Sequence, residues 1–318
     1  MAKNWWQVMA FEKQTRFARQ TSLARTAACS GIGLHSGEMI DLVIHPAPAN
    51  AGISFCRTDL IGQLGEKDAT IPARFDFVTE TMLGTVISNA AGARVSTIEH
   101  LMAALAGAGI DNALIDVSGP EVPVMDGSSA EFLALIHDAG IETLNAPKQA
   151  LRIVRDVCVT DGAKKVALKP HNGFSVDVEI EFDTPVIGHQ RSSLSLVNGT
   201  FARELGKART FGFLADVEMM KKHGLGLGGS LDNAIVIDQD RVLNEDGLRY
   251  QDEFVRHKAL DVVGDLALAG MPILGAFEGT RPGHEMNNRV LRALFADPAN
   301  YEIVGLTEAE AAGLPSLA

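Results

Sequence analysis

The string Arg256-His257-Lys258-Ala259-Leu260-Asp261 sets an imidazole and a carboxylate four residues apart. On a helix this spacing stacks both side chains on one face, where they can reach a single ion. Asp265 lies one more turn along that face, and Glu99-His100 supplies a further imidazole far upstream. Two imidazoles, one carboxylate and a water complete an open four-coordinate site of the kind used by catalytic zinc. The same His-x-x-x-Asp string also describes an ordinary surface pair on a helix. It is found as well in acyltransferases, where the histidine takes a proton from an acceptor hydroxyl and no metal is needed. Spacing alone leaves these readings open.

The elements that must position these groups follow from periodicity. A helical pattern starts at Thr97-Ile98-Glu99-His100 and carries Leu101, Met102 and Leu105 forward until Gly107 and Gly109 end it; residues 113–117 then read as a strand. Ser128 and Glu131 stand at capping-box spacing and predict another helix start. A helix is expected over about 252–269, a buried strand over 273–277, and a last helix after Gly283-His284. Strand character appears near Leu23 and over 39–45, before the Pro46-Ala47-Pro48 breaker, and resumes over 151–154 and 174–182. Helices and strands mix without strict alternation, which favours α+β over a doubly wound sheet. Asn145-Ala146-Pro147-Lys148 is the expected boundary, dividing the chain into an extension (1–19), a first α+β domain (20–147) and a second (148–318).

Composition narrows the function classes. The 318 residues are 46% hydrophobic and 21% charged, as expected of a packed globular protein. A formal charge of −12 gives no basic footprint for nucleic acid, so an anionic substrate would need a local basic pocket. Cys29, Cys56 and Cys158 are dispersed and lack Cys-x-x-Cys spacing, as suits a reducing, cytoplasmic compartment. The first twenty residues have no continuous apolar stretch of the secretory kind, and no run is long enough to span a membrane. Trp5-Trp6, with basic neighbours, reads as part of an appended tail. Gly224-Leu225-Gly226-Leu227-Gly228-Gly229 lacks the Gly-Lys-Ser/Thr ending of a phosphate-binding loop, which argues against nucleotide hydrolysis.

Larger strings are more specific. Thr97-Ile98-Glu99-His100-Leu101-Met102-Ala103-Ala104-Leu105, Pro123-Val124-Met125-Asp126-Gly127-Ser128, Arg209-Thr210-Phe211-Gly212-Phe213, Gly228-Gly229-Ser230-Leu231-Asp232-Asn233 and Arg256 to Asp261 occur in this order. With Gly31-Ile32-Gly33-Leu34-His35-Ser36-Gly37 and Gly283-His284, they resemble the UDP-3-O-acyl-N-acetylglucosamine deacetylase family. The resemblance implies a zinc-dependent hydrolase at the committed step of lipid A synthesis in Gram-negative bacteria. It also implies two α+β domains of related topology with the site in their cleft, acting as a monomer on a UDP-sugar that bears one acyl chain. Iron(II) is an alternative occupant of the same ligands.

Carried over residue by residue, the resemblance makes His100, His257 and Asp261 the metal ligands and Glu99 the general base. It makes His284 the acid that protonates the departing amine, with Asp265 orienting and charging it. Thr210 would steady the oxyanion, and Lys258 would give the anionic substrate a positive field. Met82 and Leu83 would lie beside the acyl and acetyl groups, Phe182 would stack on uracil, and Phe211 and His35 would contact substrate. Arg281 stands where some members carry lysine, and Pro282 departs from the family's Ser-Gly-His form, which would stiffen that loop. Met219, Leu225 and Leu227 are apolar enough to line an acyl passage. A protein that kept the fold and lost catalysis is a further reading; the complete set Glu99, His100, His257, Asp261 and His284 argues against it.

Overall fold

The structure is a computed structural model and describes residues 16–317. The Trp5-Trp6 pair and most of the expected extension lie outside them. The fold is α+β, as expected.

The first half is built on a five-stranded sheet with spatial order Ala27–Ile32, Met39–Pro46, Ala113–Val117, Ile53–Arg57 and Thr70–Pro72. Only Ala113–Val117 and Ile53–Arg57 run parallel. In Met39–Pro46 buried and accessible residues alternate, with Ile40, Leu42 and Ile44 inward, the period of a half-buried strand. In the second half, Ile273–Thr280 is the central strand of a seven-stranded sheet. It pairs antiparallel with Lys164–Lys169 and parallel with Gln149–Ile153 and Phe174–Glu181. Its sequence, rich in buried apolar residues, suits a strand with neighbours on both sides.

Four helices matter for the site: α1 (Glu99–Ala108), α2 (Ala130–Ala139), α3 (Glu253–Ala267) and α4 (His284–Ala296). Helix α1 is buried nearly all round, which its Ala-rich, apolar sequence permits. It ends as expected at Gly109, which adopts a left-handed conformation with φ +76°. Helix α3 packs against it at Gly264, where a Cβ would lie 2.1 Å from the Glu99 carbonyl oxygen. Glycine thus brings the first turn of α1 against the helix that carries His257, Asp261 and Asp265. Alanine would strengthen the isolated helix by about 1 kcal/mol but could not fit. One continuous apolar cluster joins both halves, including Leu101 and Leu105 of α1, Val262 and Leu266 of α3, and Ile115 and Phe277 from the two sheets.

One local expectation fails. Ser128 does not cap α2; its hydroxyl bonds Asp126 and accepts the Ala130 N–H, and the helix begins at Ala130 without a side-chain cap. Asp126 is closer to Ser128 than Glu131 is in sequence, and Arg249 holds it in place at 2.7 Å. Around Lys148, the Lys148 ammonium pairs with Asp111 at 2.9 Å and its backbone N–H donates to Ala18, so the chain there is tied down.

Candidate active site

His100 sits in the first turn of α1, and His257 and Asp261 lie on successive turns of α3; all three are buried. One ligand atom from each lies within 4.8 Å of the others. Asp261 Oδ1 is 3.4 Å from His257 Nε2 and 3.7 Å from His100 Nε2. The His257 ring is set by the Ala208 carbonyl, 3.0 Å from Nδ1. A carbonyl only accepts, so Nδ1 carries the proton and the Nε2 lone pair points toward Asp261. Burial, joined for His100 by the neighbouring His257, lowers both imidazoles, His100 to about 3, so both stay neutral. Burial also works against charge on Asp261, yet His257 and Lys258 hold it below the usual carboxylate range. Asp261 Oδ1 is buried and accepts no hydrogen bond from any described residue. Two neutral imidazoles and an ionised carboxylate with one orphaned oxygen are the donor set a divalent cation satisfies.

Glu99, at the start of α1, accepts the Thr85 N–H at 3.0 Å and stands 3.8 Å from His284 Nε2. Burial pushes its carboxyl up to about 7, with His284 opposing and Asp265 and Asp261 adding to the rise. His284 opens α4, where the helix dipole disfavours a cation. Burial disfavours it too, but Asp265 and Glu99 outweigh both and keep the imidazole protonated up to about 10. Asp265 is the hub: its Oδ2 accepts His284 Nδ1 at 2.9 Å and Asn287 Nδ2 at 2.8 Å, and its Oδ1 accepts the Thr85 hydroxyl at 2.6 Å. The result is a buried carboxyl group of raised pKa beside a protonated imidazole, a pair whose properties suit proton transfer.

These groups open into one cavity of about 340 Å³. Glu99, His100, Thr210, Phe211, His257, Lys258, Asp261, His284 and Leu83 line it. Thr210 lies just before the Phe211–Phe213 strand, its N–H held by Gly127 O at 2.8 Å. Lys258 donates to Asp261 Oδ2 at 2.9 Å and stands 5.4 Å from the Phe211 ring centre. Leu83 takes a left-handed conformation at φ +63°, as does Thr97 at φ +55°, two residues before Glu99. Such strain in residues with side chains gathers at functional sites. A second cavity, of about 330 Å³, lies beyond the same helices, with Met102 and Leu266 in its wall and none of the expected site residues.

Asp265 stands behind His284. Four other expected residues lie outside the cavity lining: Met82 is largely exposed, and His35 is held through its N–H by Glu121. Phe182 packs edge-on to Phe211 at 5.8 Å between centres, and Arg281 donates to Glu181 at 2.6 Å. Sequence reasoning missed Lys164, which reaches the cavity from the strand Lys164–Lys169, and Thr85, which bonds both Glu99 and Asp265. No spacing signals either, because both reach the site by long-range contacts. The exposed lysine pair at 164–165 beside a Gly162 turn was the one available hint.

The family model described as UDP-3-O-acyl N-acetylglycosamine deacetylase matches residues 20–296. The UDP-3-O-acyl-N-acetylglucosamine deacetylase of Neisseria meningitidis serogroup A is 48% identical over 92% of this chain and 94% of its own. That of Pasteurella multocida is 46% identical over 92% of this chain and 95% of its own. With a family model matched over residues 20–296 and relatives 46–48% identical over 92% of its length, the chain belongs to the UDP-3-O-acyl-N-acetylglucosamine deacetylase family.

Proposed function

We propose that this chain removes the N-acetyl group from UDP-3-O-acyl-N-acetylglucosamine, giving the free amine and acetate in lipid A biosynthesis. The observation that carries the reading is the pair of buried Glu99 and partly accessible His284, 3.8 Å apart, beside the His100, His257 and Asp261 cluster. A divalent cation held by those three, zinc in our proposal and iron(II) as the alternative, supplies Lewis acidity toward the water and the acetamide carbonyl. Glu99 takes a proton from the attacking water as its oxygen bonds to the carbonyl carbon. Thr210 donates toward the developing oxyanion. His284, charged and aimed by Asp265, delivers a proton to nitrogen as the C–N bond breaks, so a neutral amine and acetic acid form, and the acid loses its remaining proton to water and leaves as acetate.

Lys258 and Lys164 give the cleft a positive field for the diphosphate in an otherwise acidic protein. Leu83 and Phe211 shape its wall; Met82, Phe182, Arg281 and His35 are proposed to contact the substrate beyond the cavity. The unit is taken as a two-domain monomer, divided near residue 148, because one chain supplies every group named. A cytoplasmic site fits three cysteines that are all free. Among the described residues no helix is long and apolar enough to cross a membrane.

The test is amine formation from UDP-3-O-acyl-N-acetylglucosamine by chelator-treated protein, before and after one equivalent of zinc or, without oxygen, iron(II). Activity that returns with metal is expected. Equal activity without metal would favour the acyltransferase type of chemistry.

A further inference from the structure

The ladder of functional groups on α3 begins one turn earlier than the ligands. Glu253, His257, Asp261 and Asp265 succeed one another at intervals of four residues, and all are buried. Glu253 is the only one of them that does not reach the cavity or His284. Its carboxylate is nonetheless saturated: Oε1 accepts the Arg209 N–H at 3.0 Å and Arg209 Nε at 2.9 Å. Oε2 accepts Arg209 Nη2 at 3.2 Å and the Arg249 N–H at 2.5 Å. Arg209 in turn donates to Gly247 O at 2.8 Å, and its side chain is only 7% exposed. A buried ion pair of this kind is a poor source of stability, since desolvation consumes most of its attraction. Its value lies in where it holds the chain.

Arg209 stands between two residues with direct work in the site. The carbonyl of Ala208 fixes the His257 ring, and Thr210 lines the cavity. Both the backbone N–H and the guanidinium of Arg209 end on Glu253, so the segment is fastened to the same helix that carries His257, one turn away. We propose that Glu253 is a positioning residue which, through Arg209, fixes the Ala208 carbonyl on His257 and the Thr210 hydroxyl over the cleft. Partners of this sort typically change metal affinity or activity by about 10–100-fold when removed. This rests on the deacetylase reading above and adds a residue to its machinery.

Glu253→Gln keeps the size of the side chain, but its amide turns N–H donors on the Arg249 N–H and Arg209 Nη2. The measurements are the zinc dissociation constant by chelator competition, kcat and KM for the deacetylation, and urea unfolding of the metal-free protein. The expected result is a zinc Kd about 10–100-fold weaker and a kcat about tenfold lower or less, with KM little changed. Glu253→Gln that is folded and matches wild type in zinc Kd and kcat overturns the proposal, whatever its unfolding midpoint. Should Glu253→Gln fail to fold, Arg209→Lys decides: it keeps the charge and the backbone N–H while losing the planar fork. A weaker zinc Kd in that variant supports the proposal, and an unchanged Kd and kcat overturn it. The unmodified protein separates this from the parent reading, which fails if wild type neither holds zinc nor releases acetate.

Discussion

The centre of the cleft and its rim are built differently. At the centre, Glu99, His257, Asp261 and Asp265 are buried, each is fixed by at least one partner, and they stand on two helices in contact at Gly264. At the rim, Met82 is exposed, Leu83 sits on a left-handed turn, and Arg281 is spent on Glu181. A rigid centre fits chemistry that demands placement to a fraction of an ångström, whereas a rim needs only to admit and hold a long substrate. If this contrast is sound, substitutions at the centre act on kcat and metal, and those at the rim act on KM.

The largest effect is expected from Glu99→Ala. Loss of proton transfer should lower kcat by about 10²–10⁴-fold. Zinc stoichiometry should stay at wild-type level after dialysis, because Glu99 is no ligand in this scheme. Near-wild-type turnover would remove Glu99 from its role.

Gly264→Ala tests whether helix contact sets the centre. The new methyl meets a backbone oxygen at 2.1 Å, which cannot swing aside as a side chain would. The clash should cost about 1–3 kcal/mol of stability in urea unfolding, more than the helix-propensity gain returns. Displacing Glu99 and His100 relative to α3 should also lower kcat, by up to about 10²-fold. An unchanged kcat would mean that the two helices can part without disturbing the reacting groups.

How much of this was legible in sequence follows the same division. His257, Asp261 and Asp265 could be placed together because a helix repeats on a scale visible within a few residues. Their meeting with Glu99, His100 and His284 required the family resemblance, since nothing local brings residue 99 to residue 257. Thr85 and Lys164 escaped notice for that reason: Thr85 meets Asp265 across 180 residues of chain, whereas Glu253 stood on the visible helical repeat and only its pairing with the distant Arg209 was hidden. The capping box at Ser128 failed by the converse error. Its spacing was right, but Asp126, clamped by Arg249 from far along the chain, competed for the hydroxyl.

Asp265→Asn should have a smaller effect on rate, roughly tenfold, and a clear effect on pH dependence. In the proposed mechanism activity requires Glu99 ionised and His284 protonated, so it should rise with pH through the first pKa and fall through the second. Asp265 raises both, the first to about 7 with burial as the main cause and the second to about 10 against burial. Removing its charge lowers both, so the two limbs of the pH–kcat profile should move toward acid together. Asparagine can still accept from His284 Nδ1, which keeps the ring in place while the charge is lost. Movement of one limb alone would show that Asp265 acts on only one member of the pair.

Arg281→Ala should have the smallest effect. The guanidinium is partly exposed and already paired with Glu181 at 2.6 Å, and exchanging one exposed anion for another is worth little. A rise in KM of about fivefold or less is expected, with kcat unchanged. Glu181→Gln supplies the counter-test: freeing Arg281 should lower KM if the arginine then turns to the diphosphate, and leave it alone otherwise. A KM increase well beyond tenfold in Arg281→Ala would mean that the arginine leaves Glu181 when substrate binds. The rim would then be organised by the substrate itself, and the contrast with the preset centre would become one between a built site and an induced one.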